Sequence, residues 1–284
     1  MSVSRRKFLQ TAGLLTAAGL ISKNDLFAAN SKLKTYGIQL WSVKTALEKD
    51  PKDVLKQLAS FGYKQIESFE GKMGMFWGMS AMDFKKYMDE LGMKIISSHC
   101  DIEKDFEKKA ADAASIGMEY LICPYKGPQK SIDDFKKIAD EFNQKGEICK
   151  KNGIRFAYHN HDYSFKEQDS QIPEDVMLTN TNPETVDFEM DIYWVVTAGA
   201  DPVAYAKKYK NRFRLGHVKD RIKNSTEKDA SCTLGEGSID YPSILINLKK
   251  EGMNYFIVEQ ERYDGTTEMD SAKADAKYMS MLSI

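Results

Sequence analysis

Short apolar runs alternate with longer amphipathic stretches along most of the chain, and the alternation repeats eight times after residue 30. The runs are rich in branched and aromatic residues, as β-strands are, whereas the stretches between them have apolar residues at helical spacing. The predicted strands cover residues 35–43, 63–69, 94–100, 120–125, 155–161, 186–194, 213–220 and 255–261. Strands that alternate with helices form parallel sheets, and eight such units predict a single (β/α)8 TIM barrel over residues 31–284.

Local signals mark where several predicted helices begin and end. Asp50 and Pro51 open one helix, and Ser80 and Ser131 are the expected N-caps of two others. Glycines such as Gly62 stand directly before predicted strands, where a residue with positive φ commonly ends a helix. A doubly wound sheet is the main alternative, but no glycine-rich phosphate loop follows the first strand.

The first thirty residues have a different pattern. Arg5 and Arg6 precede a short apolar run at residues 11–21, and the small residues Ala28 and Ala29 follow it. This order is typical of a cleavable export signal of the twin-arginine type. The run is too short to span roughly 30 Å of hydrocarbon. We therefore predict a signal peptide at residues 1–30, a periplasmic destination, and contact with the membrane only during export.

Composition narrows the classes of partner. Hydrophobic residues make up 42% of the chain and charged residues 29%, with a net charge of −1, as in ordinary globular proteins. No basic cluster is visible, so no nucleic-acid partner is expected. The four cysteines are scattered without a CxxC pair, which favours free and mostly buried thiols.

Polar residues collect at the ends of the predicted strands, where TIM barrels build their active sites. All four histidines of the chain are among them, and His159 and His161 face the same side if the strand continues through both. Each buried ionisable group must be paired, hydrated or liganded to offset its desolvation. The collection therefore predicts a metal or polar-substrate site. Its members are Trp41, Ser42, Glu67, His99, Tyr125, His159, His161, Asp191, His217, Lys219, Glu259 and Glu261.

Several motifs make the chain resemble the xylose isomerase-like TIM barrels, and more narrowly the proteins called sugar phosphate isomerase/epimerase. These motifs are GIQLWSV at 37–43, YHNHD at 158–162, EMD at 189–191, GHVKD at 216–220, LGEG at 234–237 and VEQ at 258–260. The resemblance implies one divalent metal ion, commonly Mn, Mg, Co or Zn. Members of the family include ketose 3-epimerases, hydroxypyruvate isomerase, inosose dehydratase, enzymes that process 3-keto-glycosides and a branch of abasic-site endonucleases.

The resemblance also implies ligands. Asp191, His217 and Glu259 fall at the family's aspartate, histidine and final glutamate ligands. On the fifth strand, however, Ala157 stands where relatives carry a glutamate. We therefore expect His161 to be the fourth ligand.

Two further residues have open roles beside that ligand set. His159 is a substitute ligand or a general base. Glu189 either supplies the missing carboxylate or forms a buried ion pair.

The chemistry implied is that of an isomerase, an epimerase or a lyase. A divalent cation makes the proton next to a ketone acidic and stabilises the enediolate that forms when a base removes it. The expected substrate is a sugar, a keto-sugar or a keto-glycoside. His159 or Glu261 is the candidate base, and Lys219 either stabilises an oxyanion or pairs with Asp220 or Glu236.

Substrate contacts are expected from aromatic and polar residues at the barrel mouth. Trp41, Tyr125 and Trp194 are candidates to stack on a sugar ring, while Glu67 and His99 are candidate partners of its hydroxyls. The polar loop at 223–240 either covers the mouth or is an ordinary surface loop. The alternative functions are a non-catalytic periplasmic carbohydrate-binding barrel and a metal-dependent hydrolase. The exact sugar, the metal and the oligomeric state stay open.

Overall fold

The computed structural model describes residues 31–284, and its centre is a closed barrel of eight parallel strands. The prediction of a (β/α)8 barrel is therefore confirmed. The barrel strands are β1 (Gly37–Gln39), β2 (Gln65–Phe69), β3 (Lys94–His99), β4 (Tyr120–Cys123), β5 (Arg155–His159), β6 (Val186–Asp191), β7 (Phe213–Val218) and β10 (Tyr255–Val258). They pair in sequence order, and β10 closes the barrel against β1.

Ten α-helices are present among residues 31–284 and surround the barrel. They are α1 (Lys44–Leu47), α2 (Pro51–Phe61), α3 (Ala81–Glu90), α4 (Phe106–Ser115), α5 (Ile132–Lys151), α6 (Pro173–Asn180), α7 (Ile192–Thr197), α8 (Pro202–Lys208), α9 (Tyr241–Lys250) and α10 (Glu268–Met281). The predicted caps are confirmed: the side chains of Asp50, Ser80 and Ser131 accept backbone N–H groups in the first turns of α2, α3 and α5. Gly62 follows α2 with a φ of 109°, which glycine adopts without strain.

The signal peptide predicted for residues 1–30 lies outside the described residues and stays a prediction. Within residues 31–284 no helix combines the length and the apolar character needed to cross a bilayer.

The strands end earlier than the apolar runs suggest, and this changes where site residues lie. β6 ends at Asp191, whose carboxylate caps α7 by accepting the Trp194 N–H at 3.1 Å, so Trp194 lies on a helix. β5 ends at His159, and the chain then leaves the barrel toward a 3₁₀ turn at Asp162–Phe165.

The loop that follows β7 is ordered by Asp220. Its carboxylate accepts backbone N–H groups of Gly235 at 2.9 Å, Gly237 at 3.0 Å and Ile239 at 3.1 Å. The short strands β8 (Asp220–Arg221) and β9 (Ser231–Cys232) pair in an antiparallel ladder inside this loop. The LGEG motif is therefore the part of the loop that wraps around a buried carboxylate.

A small apolar cluster fills the barrel below the polar strand ends. Ala157, Leu215 and Ile257 belong to it, and each is buried two residues before His159, His217 and Glu259 respectively. Because side chains two apart on a strand share a face, the cluster forms a floor under the polar layer. The other helices and strands enclose a larger apolar core.

Glu174 in the first turn of α6 is fully buried, and neither of its carboxylate oxygens has a hydrogen-bond partner among the described residues. Burial raises its pKa to about 8, so the carboxyl is mostly protonated at neutral pH. The protonated Glu174 carboxyl contributes its full stability at pH values below the pKa that Glu174 has in the unfolded chain. The contribution is lost as pH rises through about 8, the pKa of Glu174 in the folded protein.

We expect Glu174→Gln to remove this pH dependence. Between pH 5 and pH 9 the wild type should lose roughly 3 to 5 kcal/mol of unfolding free energy relative to the variant, at about 1.4 kcal/mol for each unit of pKa shift. Urea unfolding of both proteins across this range measures the difference. Glu236→Gln, at an exposed carboxylate, is the control and should follow the wild type. Parallel curves for Glu174→Gln and wild type would contradict the prediction.

Candidate metal centre

Four buried side chains at the carboxyl ends of neighbouring strands form what we call the outer group. His159, Asp191 and His217 lie at or near the ends of β5, β6 and β7, and Glu259 directly follows β10. The strand register places Asp191 beside His217 and His217 beside Ile257, two residues before Glu259. One ligand atom from each residue lies within 4.8 Å of the others, which is the arrangement needed to hold one metal ion.

Two atoms of the outer group face each other and make no hydrogen bond of good geometry among the described residues. They are Nε2 of His159 and Oδ2 of Asp191, and the distance between them is 3.4 Å, although Asp191 Oδ2 also lies 3.1 Å from Lys219 Nζ. The other ring nitrogen of His159 lies 3.2 Å from the carbonyl oxygen of Pro124. That nitrogen donates to the carbonyl, which fixes the orientation of the ring and directs Nε2 at the centre of the group.

Lys219 is the permanent cation of the site. Its Nζ lies 3.1 Å from Asp191 Oδ2, 2.9 Å from Glu259 Oε2 and 2.7 Å from Glu261 Oε2. Burial alone would lower the pKa of Lys219, but the charges of these carboxylates raise it well above its usual value. The suggested pairing of Lys219 with Asp220 or Glu236 is wrong, because its side chain points into the barrel mouth while Asp220 binds its own loop.

A second set, the inner group, lies one layer deeper and shares His217 with the outer group. It consists of Glu67, His99, Glu189 and His217. Glu67 Oε1 lies 2.7 Å from His217 Nε2 and 3.2 Å from His99 Nε2, and Glu189 Oε2 lies 2.8 Å from His99 Nε2. Glu189 thus forms the buried ion pair that was one of its two expected roles.

Ser97 and Gln39 complete the inner group by donating to Glu67. The Ser97 hydroxyl donates to Oε2 at 2.5 Å and the Gln39 amide donates to Oε1 at 2.7 Å. With these oxygens occupied by donors, the inner group is a hydrogen-bonded network. Both residues were missed by sequence reasoning, although a polar side chain inside an otherwise apolar strand is a usable signal.

The inner group controls the charge and tautomer of His217. Burial alone would raise the pKa of Glu67, but the charge of His99 and the hydrogen bonds from His217 and His99 hold it well below its usual value. The ionised Glu67 accepts the Nε2–H of His217, which leaves Nδ1 directed at the outer group, 3.2 Å from Glu259 Oε2. For His99, burial alone would lower the pKa, but the charge of Glu67 raises it to about 9.

Above the outer group lies a cavity of about 330 Å³ with aromatic walls. Trp41 and Tyr125 are 38% and 55% exposed, which is uncommon for such large side chains, and both line this cavity. Trp194 forms another part of the wall, and His159, Lys219, Glu259 and Glu261 contribute the polar surface. Most of the predicted site residues are therefore brought to one place.

His161 lies outside both groups, so its prediction as fourth ligand does not fit the geometry. Its ring packs at 5.5 Å from Trp194 and at 4.9 Å from Tyr125. Burial lowers its pKa to about 2, which keeps the ring neutral. The reason is local: β5 ends at His159, so strand alternation no longer directs the side chain at 161. His159, not His161, is the histidine from this segment that belongs to the outer group.

Glu67 also differs from its expected role as a partner of substrate hydroxyls. It is fully buried and does not line the cavity, because His99 and His217 lie between it and the open space. His99, in contrast, lines the cavity as predicted for a substrate contact.

The charges of the site fit a divalent cation. Asp191, Glu259 and Glu261 in the mouth and Glu67 and Glu189 beneath them are five carboxylates. The positive groups among them are Lys219 and the imidazoles of His99 and His217, whose pKa values burial alone would lower but these carboxylates raise. Buried carboxylates in such excess require further positive charge. A bound divalent ion would supply that charge. It would be held between His159 Nε2, which has no hydrogen-bond partner among the described residues, and Asp191 Oδ2, which it would share with Lys219.

Comparison with known proteins agrees with this architecture. A sugar phosphate isomerase/epimerase from Parabacteroides distasonis is 30% identical, with a TM-score of 0.75 over 87% of this chain and 97% of the other. The zinc-bound IolI protein has the same fold, with a TM-score of 0.70 and 16% identity over 86% of this chain and 95% of that one.

Among curated relatives, an inosose dehydratase from Lacticaseibacillus casei is 23% identical over 162 residues. The match covers 52% of this chain and 52% of that protein, so the chain spans about half the length of the curated relative. Residues 55–281 match the family model described as xylose isomerase-like TIM barrel. The chain therefore belongs to the family of xylose isomerase-like TIM barrels.

Proposed function

We propose that this protein is a divalent-metal-dependent enzyme that acts on a keto-sugar or keto-glycoside through an enediolate, as a lyase or as an isomerase or epimerase. The observation that carries the proposal is the convergence of His159, Asp191, His217 and Glu259, of which His159 and Glu259 line an aromatic-walled cavity. The names of its relatives, inosose dehydratase and sugar phosphate isomerase/epimerase, support a sugar-processing reaction.

The four residues of the outer group are the proposed ligands, with His159 in the position that His161 was expected to fill. Two imidazole nitrogens and two carboxylates form a mixed donor set that does not select among Mn, Co and Zn, and Mg is less favoured because it prefers oxygen. The zinc in the IolI structure supports a divalent ion in this fold. When bound, such an ion supplies Lewis acidity that polarises a ketone and its neighbouring hydroxyl.

Glu261 is the proposed base, since His159 is used as a ligand. Its carboxylate lines the cavity and is partly open to solvent, so it reaches a bound sugar. Lys219 Nζ lies 2.7 Å from it and donates toward the oxygen that gains negative charge when Glu261 removes the proton next to the ketone. Trp41, Tyr125 and Trp194 would hold the apolar face of the ring, and His99 a hydroxyl.

Elimination is favoured over epimerisation by the charge distribution of the cavity. Epimerisation by a two-base mechanism needs acid–base groups on opposite faces of one carbon. On the β5 side Ala157 is apolar and lies in the floor cluster. A single base on the other side, Glu261, suffices to remove a proton while a neighbouring substituent leaves.

A non-catalytic carbohydrate-binding barrel is the second candidate, and one observation favours it. Lys219 already neutralises Asp191 and Glu259 at 3.1 Å and 2.9 Å, so part of the carboxylate charge is compensated without a metal. A metal-dependent hydrolase has less support, because only one histidine of the HNH segment belongs to the outer group.

Metal binding separates the first two candidates. We expect the protein, stripped and reloaded, to bind one divalent ion per chain, and His159→Ala or Asp191→Ala to weaken binding by about 100-fold or more, because each removes a ligand. His161→Ala is the matched control and should keep wild-type affinity. Calorimetry with Mn²⁺ and Zn²⁺ measures all four proteins. Equal loss in the His159 and His161 variants would contradict the assignment of ligands.

Proton exchange tests the reaction. The metal-loaded enzyme should exchange the hydrogen next to the ketone of a 3-keto-glycoside for deuterium in heavy water, or release the aglycone, as followed by NMR. Glu261→Gln should slow this by about 100-fold or more, since general-base catalysis contributes about 10²–10⁴-fold. Its metal affinity should stay within a few-fold of wild type. A metal-loaded wild type with neither exchange nor release would rule out the enediolate.

Glu67 tests the positioning of His217. Replacing an acceptor that orients a metal-binding histidine costs about 10–100-fold in metal affinity, and we expect this from Glu67→Gln. The variant is nearly isosteric, and its thermal unfolding reports whether the barrel is intact. Glu70→Gln is the control, because Glu70 lines the cavity but its carboxylate binds Lys109 at 2.6 Å. Unchanged metal affinity in a folded Glu67→Gln protein would argue against the orienting role.

A further inference from the structure

A second cavity of about 290 Å³ adjoins the one above the outer group. The two share Trp41, Trp194 and Glu261 as lining residues, so the second cavity lies beside the first, and none of the proposed metal ligands lines it. We propose that the second cavity is a subsite for a second, uncharged sugar unit, so that the substrate is a glycoside of at least two units. This inference rests on the proposed function, whose substrate it specifies.

The far wall of the second cavity is held in place by the loop after β7. The Ser231 hydroxyl oxygen accepts the backbone N–H groups of Glu261 at 3.1 Å and Arg262 at 3.0 Å. The hydroxyl of Tyr193 accepts the N–H of Ala230 at 2.7 Å. The Ser231 side chain and the backbone of residues 229–231, which form this wall, are thus held by Tyr193, Glu261 and Arg262. A preformed wall lowers the entropic cost of binding.

The charges of the second cavity favour a neutral ligand over an anionic one. Its cations are already engaged: Arg262 binds Glu227 and Asp264, and Lys44 Nζ lies over the Trp41 ring at 3.7 Å. The carboxylate of Asp229, in contrast, has no hydrogen bond or ion pair within residues 31–284.

A free carboxylate accepts hydrogen bonds from hydroxyl groups and repels phosphate. Glu261, at the junction of the two cavities, is already paired with Lys219 at 2.7 Å, so Asp229 is the free charge that a phosphate would meet. A polyhydroxylated neutral group suits these acceptors, and the indole rings of Trp41 and Trp194 suit the apolar faces of sugar rings. The second unit is therefore a sugar and not a phosphate.

Size leads to the same conclusion. Each cavity has about the volume at which small-molecule sites begin, about 300 Å³. One sugar ring above the outer group leaves the second cavity empty, whereas two linked rings occupy the whole cleft.

The link between the two rings would lie beside Glu261, and this placement fits an elimination. Glu261 removes the proton next to the ketone, and the electron pair of that C–H bond forms the enediolate. When the ketone re-forms, that electron pair becomes a C=C bond to the carbon that carries the second sugar, and the C–O bond to this sugar breaks. The departing oxygen then takes the proton from Glu261. The products are an unsaturated keto-sugar and a free sugar, with no oxidant or reductant required.

Two substrates with the same reacting ring test the subsite. Methyl 3-keto-glucoside fills only the first cavity, while 3-keto-cellobiose fills both. With metal-loaded wild type we expect 3-keto-cellobiose to bind about 10-fold or more tightly by calorimetry and to have a correspondingly higher kcat/KM. Asp229→Ala should reduce this preference to about 2-fold and leave the methyl glycoside unchanged, since a charge-assisted hydrogen bond accounts for most of such a difference. Glu236→Ala, at an exposed carboxylate of the same loop, is the control and should keep the preference.

Binding and turnover separate the two proposals. Equal binding of the two substrates to wild type, or a preference that Asp229→Ala does not reduce, overturns the second subsite whether or not there is turnover. A preference in binding that Asp229→Ala removes supports the subsite even without turnover of either substrate, and absence of turnover then counts against the proposed reaction alone.

Discussion

The site depends on the burial of opposite charges in the mouth of one closed barrel. Lys219 and the imidazole of His217 lie among the carboxylates of Glu67, Asp191 and Glu259, all of them buried. Removing a single partner from such a set leaves an uncompensated buried charge, which costs about 3–5 kcal/mol. His217 belongs to both groups. The hydrogen bond of its Nε2 to Glu67 in the inner group therefore fixes the direction in which its Nδ1 faces the outer group. The balance of charges in the inner group therefore determines the geometry of the outer group at the barrel mouth.

The role of Lys219 follows from the same balance. Its ammonium group already neutralises Asp191 and Glu259, and it also contacts Glu261, which borders both cavities. A divalent ion bound by the outer group would compete for the first two contacts and leave the third. In the proposed enzyme, then, one lysine serves two purposes: it compensates the carboxylates of the metal-free barrel, and it stays beside the base when the ion is bound.

The sequence predicts the barrel well because its signals are local. Strand alternation and helix caps such as Ser80 act within a few residues, and the structure agrees with them. The prediction of His161 as the fourth ligand does not fit the geometry because the sequence pattern extends the strand through residues 159–161, whereas β5 ends at His159. Alternation gives the face on which Glu67 lies but not its depth, so its position beneath His217 could not be foreseen. The partners of Lys219 are about 30 to 40 residues distant in sequence, at the ends of the two strands that flank β7, so they meet only when the sheet is assembled.

The loop after β7 links a sequence motif to the size of the proposed substrate. The carboxylate of Asp220 gathers the backbone of Gly235 and Gly237. Without that buried acceptor, the loop that carries Asp229 and Ser231 would lose the hydrogen bonds that bring it back against the barrel, and the second cavity would lose its far wall. Asp220 and the GEG motif would then act on substrate choice from a distance: they line neither cavity, yet they hold the wall that separates a one-ring pocket from a two-ring cleft.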